Sequence, residues 1–238
     1  MKGEKITVFF LPFAGGSRYS YNQFKQNAPA WIKVEPLDLP GRGSRFKEDL
    51  LNTIEEVVDD LYDQIKDKLD KPYAIYGHSM GATLGYLLTR KINDLNKPMP
   101  QHVFLTGTCG PAADRETKIR STMPKDEFIA EVKNMGGSPD EILNDDQLME
   151  FFEPILRGDF RILESYNHIP QEPLEVPFTV VIGADEEVTE KEGKAWGQEF
   201  STPLDFHIMP GNHFFIFDQY KDVLRLLARR LSALQPMP

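Results

Sequence analysis

The chain has 238 residues, 40% hydrophobic and 27% charged, and carries a formal net charge of −10 at pH 7. That length suits one α/β domain over 1–238, with a core that needs no disulfide or metal, and the acidic balance argues against nucleic-acid binding and anionic membranes. No stretch of the sequence is apolar enough to span a bilayer, Cys109 is a lone cysteine, and no signal-peptide pattern follows Met1, so a cytoplasmic protein is expected.

Ile6–Leu11 is an apolar run ended by Pro12, read as a buried strand, and Ile32–Leu37 reads as the next. Over 53–69, Ile54, Val57, Val58, Leu61, Ile65 and Leu69 form one apolar stripe at helical spacing, and Thr53 and Glu56 stand at capping-box distance. Tyr73–Tyr76 predicts a strand, Met80–Asn93 a helix and His102–Thr106 a strand. Residues 114–170 break the alternation with helices predicted over Lys125–Met135, Pro139–Leu143 and Asp145 to about Ser165, punctuated by Gly136-Gly137 and Pro154. Phe178–Ile182 (strand), Glu190–Phe200 (helix), Leu204–Met209 (strand) and Tyr220–Leu234 (helix) resume it. Strands separated by helices imply parallel neighbours with right-handed crossovers. An insertion at the carboxyl edge of such a sheet lies over the ligand crevice, so about 114–170 is read as a lid.

Gly77-His78-Ser79-Met80-Gly81 is a G-x-S-x-G between a predicted strand and a predicted helix. That context places a serine hydroxyl above the sheet at a strained turn, beside a helix N-terminus that favours negative charge. Ser79 is therefore the candidate nucleophile. A serine needs a base, and of five histidines only His213, in Pro210-Gly211-Asn212-His213-Phe214-Phe215, lies in a loop after a late strand. His102 and His207 read as structural, His78 as part of the turn, His168 as a surface residue and Cys109 as a small core residue. Asp185 and Glu186 follow the strand Phe178–Ile182, where the order Ser…acid…His puts the third member; residue type alone leaves both open. Leu11-Pro12-Phe13-Ala14-Gly15-Gly16-Ser17 is a glycine-rich loop, so the backbone N–H of Met80 with that of Phe13 or Ala14 would form an oxyanion hole. No metal-ligand set stands out.

Taken in order, Phe10-Leu11-Pro12-Phe13-Ala14-Gly15-Gly16, Pro40-Gly41-Arg42-Gly43-Ser44-Arg45, the Ser79 elbow, Leu156-Arg157-Gly158-Asp159-Phe160 and Gly211-Asn212-His213-Phe214-Phe215 resemble the type II thioesterases of non-ribosomal peptide and polyketide synthesis. The resemblance implies an α/β-hydrolase fold: a mostly parallel central sheet flanked by helices, with an inserted helical lid. It implies a stand-alone hydrolase that releases stalled or mis-primed acyl groups from the phosphopantetheine arm of acyl- or peptidyl-carrier proteins, with no cofactor of its own and with Ala14 and Met80 as oxyanion donors; a monomer is expected. Three positions depart from the pattern. Ala82 and Asn212 stand where glycine is common, and Gly183-Ala184-Asp185-Glu186-Glu187 lacks the usual G-x-x-D-P proline. Counting from Pro177 puts Glu186 at the acid position; counting back from Val188-Thr189 puts Asp185 there. Asp185 is the first choice, aspartate being the commoner triad acid.

A general carboxylesterase or lipase-like hydrolase, an acyltransferase, and a catalytically silent carrier-binding module are the competing readings. Arg115, Lys118, Arg120 and Lys125 gather at the insertion of an otherwise acidic chain and are candidates to attract an acidic carrier.

Overall fold

The computed structural model describes residues 5–114, 118–136 and 145–233. The helix expected over Pro139–Leu143, together with Arg115, lies outside them.

Among the described residues one sheet forms, from β1 (Ile6–Leu11), β2 (Ile32–Pro36), β3 (Tyr73–His78), β4 (Val103–Thr106), β5 (Phe178–Gly183) and β6 (Asp205–Met209). Its spatial order is β2-β1-β3-β4-β5-β6, and every neighbouring pair runs parallel. Side chains alternate across it, as the two-residue period of a strand requires. Val8 and Phe10 of β1 pack with Phe24, Val223 and Leu227 on one face. Phe9 and Leu11 pack with Val57, Leu61, Leu84 and Leu88 on the other. Burial on both faces explains why the central strands β1, β3, β4 and β5 read as largely apolar runs, whereas the edge strands β2 and β6 carry polar residues at exposed or half-buried positions.

Helices α1 (Asn22–Asn27) and α8 (Tyr220–Ser232) supply the first face, and α2 (Ile54–Ile65) and α3 (Met80–Asp94) the second. The stripe predicted for α2 is the one buried. Its capping box forms as expected: Glu56 N–H donates to Thr53 Oγ1 and Thr53 N–H to Glu56 Oε2, both at 3.2 Å. The apolar 53–69 segment nevertheless ends its α-helix at Ile65 and continues as a 3₁₀ turn, Lys66–Lys68. Likewise 190–200 is a short helix α6 (Glu190–Lys194) followed by a 3₁₀ turn, Ala195–Gln198. Helix α1 and the one-turn α7 (Phe215–Asp218) were not expected; both are too short for a periodic signal.

Between β4 and β5 stand α4 (Lys125–Met135) and α5 (Asp146–Glu164). α5 runs through Pro154, as the helix expected from Asp145 to about Ser165 does. Pro154 and Glu150, whose carbonyl loses its helical partner to the proline, are both exposed residues, while Met149, Leu156, Phe160 and Ile162 are buried and hold the helix. No helix among the described residues is long and apolar enough to cross a membrane.

Candidate active site

The turn from β3 into α3 is where the backbone is most constrained. Ser79 has φ 54° and ψ −119°, a conformation that costs a non-glycine residue on the order of 1–3 kcal/mol and persists only when its surroundings impose it. They do so by hydrogen bonds and by contact. Ser79 N–H donates to the Thr106 carbonyl of β4 (2.8 Å), and Ala82 N–H closes back on the Ser79 carbonyl (2.9 Å). A β-carbon at Gly77 would stand 1.9 Å from the Gly81 carbonyl oxygen, and one at Gly81 would stand 2.7 Å from that of Leu11. The two glycines of the motif are therefore steric requirements of the turn.

Two strands away, β5 and β6 end side by side, with Gly183 opposite Met209. The pairing continues past the strands: Ala184 N–H donates to the Met209 carbonyl (2.8 Å) and Asp185 N–H to that of Gly211 (3.0 Å). This draws the loop after β6 against the loop after β5. Asn212 then turns the chain, its side-chain oxygen accepting the Phe214 N–H at 3.0 Å. The residue that departs from the expected glycine thus makes its own turn. His213 emerges with Nε2 3.0 Å from Ser79 Oγ and Nδ1 2.8 Å from Glu186 Oε2.

Of the two acidic candidates, the structure brings Glu186 to His213 and not Asp185, which the sequence had put first. Asp185 uses its backbone to extend the ladder and leaves its side chain exposed. Glu186 folds inward, its side chain 0% exposed, and its second oxygen accepts the Gly183 N–H at 2.6 Å. The longer side chain reaches back three residues to grip its own loop and still meets the imidazole.

His78 is fully buried behind this line, its ring 5.0 Å from that of His213. Its Nδ1 lies 3.0 Å from Thr106 Oγ1. Burial, then the proximity of His213, holds its pKa well below the ordinary histidine value, so it stays neutral. His102 and His207 are tied to Thr179 and Asp205 within the sheet, as their positions suggested.

The loop after β1 runs over the start of α3. Ala14 borders the apolar cluster that contains Met80 and the cluster beneath the insertion helices. Gly16 N–H returns to the Phe13 carbonyl (2.8 Å).

Ser79, Glu186 and His213 open on a cavity of about 630 Å³ bounded on its far side by Phe160, Leu163 and Glu164 of α5 and Asn134 and Met135 of α4. Three of its features were not legible. Cys109 is half-buried in its wall, outside the core. His168 also lines it, with only 13% of its side chain exposed and Nε2 3.1 Å from the buried Glu199; Glu199 is itself bonded by Tyr86, to which Arg90 donates. Lys118 and Arg120 both reach Glu131, at 2.6 and 2.8 Å. Arg120 also faces Glu187 at 3.7 Å, so the basic group seen in the sequence is tied into ion pairs at these two positions.

The sequence matches the family model described as a thioesterase domain over residues 6–231. It is 29% identical over 228 residues to the gramicidin S biosynthesis protein GrsT of Aneurinibacillus migulanus, covering 95% of this chain and 89% of that protein. Among solved structures it superposes on ClbQ from the colibactin NRPS/PKS pathway with a TM-score of 0.91 at 29% identity, covering 97% and 98% of the two chains. It superposes on YbtT, a type II thioesterase from the yersiniabactin NRPS/PKS pathway, with a TM-score of 0.87 at 26% identity, covering 97% and 94%.

Proposed function

The chain belongs to the thioesterase family, and on that premise we propose that it is a stand-alone type II thioesterase that hydrolyses acyl or aminoacyl groups from the phosphopantetheine arm of synthase carrier proteins, clearing mis-primed or stalled arms. The observation that carries this reading is the continuous line Ser79 Oγ–His213–Glu186 at the floor of a cavity beneath α4 and α5.

In this proposal Glu186 holds the His213 Nδ1–H and so leaves Nε2 as acceptor toward Ser79. Ser79 Oγ attacks the thioester carbonyl as its proton passes to Nε2. The tetrahedral oxyanion is met by the backbone N–H groups of Met80, at the positive end of α3, and Ala14. The imidazolium, stabilised by buried Glu186, protonates the departing pantetheine sulfur. Water then repeats the sequence on the serine ester with His213 as base, releasing the acid. The leaving thiol belongs to the carrier's own arm, so no free cofactor takes part. The insertion helices act as a lid that limits water and acyl size. The setting proposed is the cytoplasm.

The test compares release of one short acyl group from a phosphopantetheinylated carrier protein with hydrolysis of the matching oxygen ester, with Ser79→Ala as blank. Preferential release from the carrier supports the reading. Equal or faster ester cleavage would reassign the protein as a general esterase, and binding without turnover of either would mark a silent carrier-binding module.

A further inference from the structure

Three segments far apart in sequence converge on one carboxylate. Asp159, on α5, accepts the Gly15 N–H at Oδ2 (2.7 Å) and both terminal nitrogens of Arg42, at 2.5 and 2.7 Å. Asp159 is 1% exposed and Arg42 7%. Arg42 comes from Pro40-Gly41-Arg42-Gly43 after β2, and Gly15 from the loop after β1. A buried ion pair is weak evidence for stability as such, since desolvation offsets much of its attraction. What distinguishes this one is its third partner.

Gly15 has φ +73° and lies third in a turn closed by Gly16 N–H on the Phe13 carbonyl. That combination marks a type II turn. Such a turn differs from type I chiefly by a flip of its central peptide, here Ala14–Gly15. The N–H of that peptide is the one held by Asp159. The fork of Arg42 fixes both carboxylate oxygens in one plane, so the acceptor has a set direction.

We propose that Asp159 is a positioning residue for the oxyanion loop. By holding the Gly15 amide it locks the turn that presents the Ala14 N–H, and because it rides on α5, the loop is fully set only when that insertion helix is seated. This rests on the reading of Ala14 as an oxyanion donor.

The test uses two double variants, Arg42→Met with Asp159→Asn and Arg42→Met with Asp159→Leu, assayed on an acyl N-acetylcysteamine thioester. Both remove the ion pair, and only the first keeps an oxygen that can accept the Gly15 N–H. The Leu double should lose about 10²-fold in kcat, the scale of a misplaced reacting group, with KM little changed. Its affinity for a trifluoromethyl ketone, which places an oxyanion in the same position, should fall in parallel. The Asn double should keep most of both. Equal kcat in the two folded doubles overturns the proposal. Ser79→Ala run alongside separates the failures: turnover that survives it sinks the site reading, whereas full Ser79 dependence with indifferent doubles sinks only the role of Asp159. Amide exchange of Gly15 in the unaltered protein decides the matter where the doubles do not fold. Strong protection is expected, and exchange as fast as a solvated loop amide would overturn the proposal.

Discussion

Glu186 Oε2 lies 2.8 Å from His213 Nδ1, while Glu186 Oε1 is bound by the Gly183 N–H at 2.6 Å. The carboxylate therefore reads the position of β5 at one end and sets the imidazole at the other. Glu186→Gln presents an amide that cannot enforce the same tautomer, and kcat should fall by about 10³- to 10⁴-fold. Asp185→Asn, on the exposed neighbour, should stay within about twofold, in the range of surface changes. Steady-state kinetics on one thioester decides between them; the reverse ranking would return the acid to Asp185.

Ser79 is strained by its positive φ, and glycine is the residue that adopts it without cost. Ser79→Gly should abolish turnover and raise stability by about 1 kcal/mol, which for a chain of this size is about 2–4 °C in Tm. Calorimetry checks it. An unchanged or lower Tm would mean that the hydroxyl contributes more to folding than the elbow strain removes.

His102 gives the fold a defined acid sensitivity. Burial pushes its pKa down from 6.5 to about 4. The unfolded chain takes up a proton near 6.5 that the folded protein refuses, so this stabilising contribution is complete above about pH 6.5 and is lost as pH falls toward 4. The whole window is worth about 3 kcal/mol. Neutral, buried His78 adds to the same trend. Urea midpoints across that range should fall less steeply with acid in His102→Gln than in the parent, and parallel profiles would argue against the assignment.

Lys118 and Arg120 were candidates to draw in an acidic carrier, yet both are paired with Glu131, whose pKa is lowered by those two cations against the upward pull of its burial. Replacing both with glutamine should cost about 1 kcal/mol, a Tm loss of about 2–4 °C. The salt dependence of kcat/KM toward a carrier should be unaltered. A clearly flattened salt dependence would restore a docking role to this pair.

Much of the molecule was legible from order and spacing. The central strands β1, β3, β4 and β5 and the helices α2, α3, α4, α5 and α8 announce themselves because each buries a largely apolar run or a helical stripe, and the edge strands β2 and β6 are legible from their place in the alternation. Ser79 is legible because the elbow is local: Gly77 and Gly81 are demanded by contacts within five residues and with the adjacent strand. His213 follows from being the histidine in the loop that a parallel sheet must bring to its carboxyl edge.

The remaining features depend on distances through space between parts of the chain that carry no record of each other. Asp185 and Glu186 are neighbours of equal charge, and the direction in which the β5 loop folds against Gly211 chooses between them. His168 becomes a cavity residue through Glu199, thirty-one positions on, and Asp159 becomes a partner of Gly15 across 144. Periodicity and motif report the short-range forces that shape an element. Which carboxylate meets which amide is settled when the packed sheet and its insertion close around them, where an unpaired buried charge costs more than any local preference can oppose.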